Sequence, residues 1–229
     1  MPTSLKLDKQ KLSSLHKEIN LNQYLTSLLS AIKIDINHLT SIYLTKEHQK
    51  ILNQMLTSKE DFERDFYTDS LEGNLECLLF FLTKYKDQIT KIIEGNGTSQ
   101  DYEDLYKSPI ISGNYDCFRF NLNNFTKTYK STNQPITLYR IGRDGESTDS
   151  LGSSWSTNIE GLKAYYQASG LSEAEIMRRP VFSATVNDSE VLFKGSKQEC
   201  ELVLKPEFKC TEVTALDAEA KKMLFNWMS

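Results

Sequence analysis

The 229-residue sequence predicts an α+β fold, a helical N-terminal half followed by a mostly antiparallel sheet with helices between some of its strands. Two observations carry this. Up to about Pro109 apolar residues recur at helix-face spacing, and from about Ile136 they fall into short alternating runs separated by turns. No internal repeat or low-complexity linker interrupts the chain, so the expected division is a helical lobe over residues 1–108 and a second body over residues 109–229.

In the first half, Leu12, Leu15 and Ile19, then Leu21, Leu25, Leu28, Leu29 and Ile32, mark helix faces. The segment KEHQKILNQML puts Ile51, Leu52, Met55 and Leu56 on one stripe. Ser58 and Asp61 have the spacing of a capping box before Phe62 and Phe66. From Leu75 to Ile93 the chain is apolar enough for one buried helix, which Gly95-Asn96-Gly97 would end. A further helix is expected from Asp116 to Tyr129, stopped by STNQP.

Six strands follow in the second half: ITLYRI, GSSWST, PVFSATV, EVLF, CELVLK and FKCTEVTAL. Two helices lie among them. IEGLKAYYQASG follows Asn158, and LSEAEIMRR carries a capping box of Ser172 and Glu175.

Composition excludes several classes of function. With 39% apolar and 25% charged residues the chain is an ordinary globular protein. A net charge of −4 argues against a sequence-independent grip on phosphate backbones. The cysteines, Cys77, Cys117, Cys200 and Cys210, form no CxxC pair, and the three histidines lie in the first quarter, so no metal site is expected. No apolar stretch reaches the ~18 residues of a membrane span, and MPTSLKLDKQ has no apolar secretory core. The expectation is a soluble, cytoplasmic protein, or one delivered into a host cell without an N-terminal Sec signal.

The chemistry centres on KQECELVL. Glu199 and Glu201 lie two apart, so on a strand both would point to one face while Cys200, Leu202 and Leu204 point to the other. Two like charges so close need a cationic neighbour. Upstream stand Arg140 in TLYRIG and the hydroxyl-rich GSSWSTN. The order arginine strand, serine strand, Glu-x-Glu, with FRFNLNNF before it, resembles the Arg-Ser-Glu class of mono-ADP-ribosyltransferases over Tyr115 to Ala215.

That resemblance implies an ADP-ribosyltransferase-like core and NAD as co-substrate, with no metal. It implies Glu201 as the catalytic glutamate on the ribose 2′-hydroxyl and Arg140 as the holder of the dinucleotide's phosphate side, with Tyr139 beside it. The serine motif would fix the glutamate and line the nicotinamide pocket. Two frames are open, Ser154-Trp155-Ser156, which is favoured, and Ser156-Thr157-Asn158. Tyr165 or Tyr166 would stack on the nicotinamide, and Trp155 is core or pocket wall. The stretch Phe193 to Gln198 matches an acceptor-recognition loop, and Glu199, two before the catalytic glutamate, implies an arginine acceptor on a protein target.

The resulting expectation is a transferase of a bacterial effector or toxin type. An NAD glycohydrolase, a transferase acting on nucleic acid, and a catalytically inactive interaction module remain as alternatives. An inhibitor or antitoxin partner is not readable from the residues.

Overall fold

A computed structural model describes residues 20–71, 73–112 and 117–226. Cα proximity groups the chain into two compact units, Met1–Thr98 with Asp116–Asn121, and Ser99–Tyr115 with Leu122–Ser229. Residues 99–108, placed in the helical lobe on sequence grounds, group with the second unit. The expected apolar face at Leu12, Leu15 and Ile19 lies outside the described residues.

The first unit is helical. Helix α1 (Gln23–Ala31) is capped by the Asn22 side chain, which accepts the Leu25 N–H and satisfies one of the unpaired first-turn donors. A one-turn helix α2 (Ile36–His38) runs into a wider turn over Leu39–Tyr43. Helix α3 (Lys46–Met55) starts on Thr45 and buries Leu52. In α4 (Lys59–Glu63), Ser58 caps as expected, but Asp61 turns back to the Thr57 N–H, one residue short of a reciprocal box.

The single helix expected over Leu75–Ile93 is broken. It forms α5 (Gly73–Lys84) and α6 (Lys86–Lys91), separated by Tyr85 at φ −105°, ψ 20°. A wide turn over Ile92–Asn96 then ends in Gly95 at φ +81°, a left-handed conformation that glycine adopts without cost.

The helix expected between Asp116 and Tyr129 is absent over the described residues 117–129. Phe118 and Phe120 are buried with Arg119 exposed between them, the two-residue alternation of extended chain. Ile34 and Phe120 form an antiparallel bridge, and Asp35 and Asn121 donate their N–H groups to the Arg119 and Lys33 carbonyls at 2.8 and 2.7 Å. Only Leu122–Asn124 turns, as a short 3₁₀ segment. Alternating aromatics among asparagines favour a pleated strip over a helix face.

The second unit opens with helices α7 (Ser99–Tyr106) and α8 (Pro109–Ser112) and then builds one sheet. Its strands are β1 (Pro135–Ile141), β2 (Ser154–Ser156), β3 (Val181–Asn187), β4 (Val191–Lys194), β5 (Glu201–Leu204) and β6 (Cys210–Ala215). They are ordered β4-β5-β2-β1-β3-β6, and every pairing is antiparallel. The α+β expectation therefore holds.

Successive residues of β3 divide the core between the two faces of the sheet. Phe182 packs with Leu138, Trp155, Leu202 and Leu204. Val181 packs with Ile141, Leu162, Leu171 and Ile176 beneath α9 (Ile159–Ser169) and α10 (Glu173–Arg178). Asn158 caps α9, Gly170 ends it at φ +68°, and the Ser172–Glu175 box is closed in both directions at the start of α10. A last helix, α11 (Ala218–Leu224), follows β6.

Candidate active site

The three stretches that stand far apart in sequence come together on adjacent strands. In register, Tyr139 of β1 faces Ser156 of β2, and Ser156 faces Glu201 of β5. Beside them is a cleft with about 260 Å³ of empty space, walled by Tyr139, Arg140, Ser154, Ser156, Tyr165 and Glu199 over Ile141 and Leu162. Arg140, both candidate serines, Tyr139, Tyr165 and Glu199 are thus neighbours.

Arg140 is fixed by a residue that the sequence reading did not single out. Its Nε and Nη2 donate to the two carboxylate oxygens of Glu146 at 2.7 and 3.0 Å, a planar fork on a planar acceptor. Its Nη1 donates to the Ser154 carbonyl at 2.7 Å, tying β1 to β2. Glu146 also receives the N–H groups of Arg143 and Gly152 at 2.9 and 2.8 Å. Burial opposes ionisation of Glu146, but Arg140 and those N–H groups prevail and hold it below the usual carboxylate range. A Cβ on Gly152 would lie 2.3 Å from Arg140 Nη2, so only glycine lets the loop close over the guanidinium. Among the described residues three of the five guanidinium N–H groups are used, leaving one on each terminal nitrogen for a ligand.

The cue to Glu146 was present in sequence. Asp144-Gly145 is a turn dipeptide, Gly145 sits at φ +78°, and the Glu146 N–H closes on the Arg143 carbonyl at 3.1 Å. The turn folds Glu146 back onto the arginine six residues before it.

The two glutamates do not share a strand. β5 begins at Glu201, and Glu199 sits in the preceding turn at 197–200, with Cys200 at φ +48° between them. A left-handed residue breaks the alternation that would have placed both side chains on one face. The turn is held instead by β2 and α9. Ser156 Oγ donates to the Glu199 carbonyl at 2.9 Å, and the Thr157 N–H and Oγ1 donate to the Cys200 carbonyl at 3.0 and 3.2 Å. At Gly161, in the first turn of α9, a Cβ would lie 2.1 Å from the Glu199 carbonyl oxygen. In this geometry Ser156 fixes the glutamate segment, while Ser154 contributes its carbonyl to Arg140.

Glu199 lines the cleft, and burial, then the charge of Glu201, raises its carboxyl to about 7. Glu201 is 8% exposed. Its Oε2 accepts the Ser196 N–H at 2.7 Å, and its Oε1 faces the Tyr106 hydroxyl at 3.4 Å. Gly195 leaves room for this carboxylate, since a Cβ there would be 1.9 Å from Oε2. Burial and the charge of Glu201 push the Tyr106 hydroxyl well above its ordinary value, so it stays a donor. Tyr106 lies 95 residues before Glu201, on α7, and no local sequence signal marked it.

Two expected site residues are elsewhere. Trp155 points to the opposite face from Ser154 and Ser156, as strand alternation requires; it is 1% exposed, donates Nε1–H to the Gly152 carbonyl at 2.7 Å and meets Phe208 edge-on. It is core and does not wall the cleft. Phe193 lies on β4, not on an exposed recognition loop, and is fully buried. It stacks on Phe125 at 5.4 Å and meets Tyr106 edge-on at 5.2 Å, so it braces the tyrosine that faces Glu201.

Among the described residues no three His, Cys, Asp or Glu side chains gather as a metal site, and no helix is long and apolar enough to cross a membrane. An open groove on the helical unit has a lining that includes Lys86, Lys91, Glu63 and Glu94. It carries surface ion pairs such as Lys59–Glu94, which call for no ligand. No protein-family model, no curated protein and no solved structure matches the chain.

Proposed function

We propose that the sheet unit is an NAD-dependent mono-ADP-ribosyltransferase acting on an arginine of a protein target. One observation carries the reading. Arg140, Ser154, Ser156 and Glu199 wall one cleft, and Glu201 stands in register with Ser156 on the strand paired to it.

Cleaving the bond between nicotinamide and ribose leaves the electron pair on nicotinamide and positive charge on the ribose. Catalysis needs a fixed negative charge at the sugar and fixed donors at the diphosphate. Glu201, oriented by the Ser196 N–H and Tyr106, supplies the first. Arg140 supplies the second with its two remaining N–H groups, and because Glu146 already holds the side chain, little ordering is left to binding. Tyr165 and Tyr139 offer ring surface in the cleft.

The acceptor follows from Glu199. A carboxyl at about 7 is ionised in half of the molecules at neutral pH, and its raised basicity suits it to take a proton from an attacking guanidinium nitrogen.

The test is nicotinamide release from labelled NAD by the purified chain and by Glu201→Gln, each with and without a cell lysate. Release that needs Glu201 and transfers label to protein arginine supports the transferase. Glu201-dependent release without label on any macromolecule replaces it with a glycohydrolase. Label on nucleic acid reassigns the acceptor, and no release by the wild-type chain removes the reading.

A further inference from the structure

Two cysteines that have no motif spacing meet in the helical unit. Cys77 lies on α5 and Cys117 opens the extended strip that runs to Asn121, and their Sγ atoms are 3.7 Å apart. Both are free thiols; Cys77 is half-buried and Cys117 is buried. Neither position is loose. Cys77 is held by helical hydrogen bonds, while the strip is fixed by its bonds to Lys33 and Asp35 and by Phe118 and Phe120 packed edge-on against Phe81 at 5.1 and 6.3 Å. Tyr43, buried against Phe118, lies against the thiol pair.

We infer that Cys77 and Cys117 form a redox-modification site, a dithiol that low-molecular-weight disulfides such as oxidised glutathione convert to an intrachain disulfide. A disulfide needs about 2.05 Å between sulfurs, and the sulfurs already face each other with no side chain to displace between them. Cys77 is the attacking group because it is the more exposed of the pair. Hydrogen bonding from Cys117, partly opposed by burial and aided by Tyr43, brings Cys77 down to about 6, while Cys117 is pushed up and stays protonated until it is used.

The exchange balances. The Cys77 thiolate attacks one sulfur of the small disulfide, its S–S bond breaks, and one thiolate leaves and takes up the proton that Cys77 released. Cys117 then loses its proton and attacks Cys77 Sγ, breaking the mixed disulfide and releasing a second small thiol. Two protein thiols are oxidised to one disulfide and one small disulfide is reduced to two thiols. The bond ties residues 117–121 to α5 and closes a loop between positions 40 apart, which constrains the unfolded chain.

The experiment incubates the purified full chain in glutathione buffers of rising oxidised fraction, traps remaining thiols by alkylation and maps the peptides. The expected result is joint loss of alkylation at Cys77 and Cys117, a linked peptide joining them, and a Tm raised by several degrees that a dithiol reductant returns to its starting value. C200S/C210S should behave as the wild type, and C77S should leave Cys117 alkylatable. The wild-type map decides even where a variant fails to fold. Continued alkylation of both thiols, glutathione retained on Cys77 with Cys117 still alkylatable, or a bond to Cys200 or Cys210 each overturns the assignment.

Discussion

The helical unit and the sheet unit bury different kinds of residue. Among the described residues of the helical unit the buried set is almost wholly apolar, with Gln49 as its buried polar side chain. The sheet unit buries Glu103, Ser108, Ser156, Arg179, Asp188 and Glu201. Burying a charge is costly unless it is paired or hydrogen-bonded. Asp188 answers that cost within the fold, accepting from Ser131, Thr132 and Gln134, which holds its carboxyl down at about 2 although burial opposes ionisation. Glu199 does not, and its carboxyl rises to about 7. One carboxyl serves the fold and the other is kept strained at a cleft, which is where poised acid–base groups are expected.

The largest effect expected from breaking this contrast is catalytic. Glu201→Gln should lower nicotinamide release by ~10³-fold, the scale of losing one preorganised electrostatic group, while the protein still unfolds cooperatively at close to the wild-type temperature. Steady-state release and a thermal melt, run together, separate this from misfolding; an active variant would return Glu201 to an ordinary buried residue.

Phe81→Ala probes the other region. Phe81 is fully buried against Phe118, Phe120 and Tyr85, so truncation should cost about 4 kcal/mol in denaturant unfolding. The loss should not depend on pH, because none of those ring partners is a carboxylate, an imidazole or an amine. A strong pH dependence would mean that the helical unit also hides a charge.

A smaller loss is expected at the Arg140–Glu146 pair, whose side chains are 13% and 7% exposed. Glu146→Ala leaves the guanidinium uncompensated and should cost about 3 kcal/mol. If the cost arises from the stranded charge, Arg140→Met/Glu146→Leu recovers most of that stability in the same denaturation experiment but not NAD cleavage. A double variant as unstable as Glu146→Ala would show that the loop from Arg143 to Gly152 depends on the carboxylate itself.

These probes also mark what the sequence made legible. Helix faces at Leu25, Leu28 and Leu29, caps at Ser58 and Ser172, and all six strands follow from periodicity and turn chemistry, which are local. Where local signals competed, tertiary packing decided: the FRFNLNNF segment is extended because Phe118 and Phe120 alternate into a core, and the Leu75–Ile93 run breaks at Tyr85. The candidate site was legible as residue types in order, because Arg140, Ser156 and Glu201 lie on runs that alternation marks as strands. Its supporting groups were not. Tyr106 meets Glu201 across 95 residues, and Cys77 meets Cys117 across 40, with no spacing to announce either. Phe193 was misplaced because an aromatic at a loop's edge reads the same whether it faces solvent or braces a tyrosine.

The last effect is the most specific. Glu199 has a folded value of about 7 against an ordinary 4.5, so the folded protein keeps a proton that the unfolded chain gives up. Stability is therefore lost as pH rises from about 4.5 to about 7, and the loss is complete above that range. Glu199→Gln removes the strain, so its Tm should exceed the wild type's by a few degrees at pH 8 and match it at pH 4. The same carboxyl should govern transfer, with wild-type rates rising with pH through an apparent value near 7 and Glu199→Gln retaining NAD cleavage while losing label on arginine. A Tm difference of the same size at both pH values would mean that the substitution acts through packing in the 197–200 turn. A transfer rate with no limb near 7 would leave Glu199 outside the proton path, and the contrast with Asp188 would then be one of burial alone.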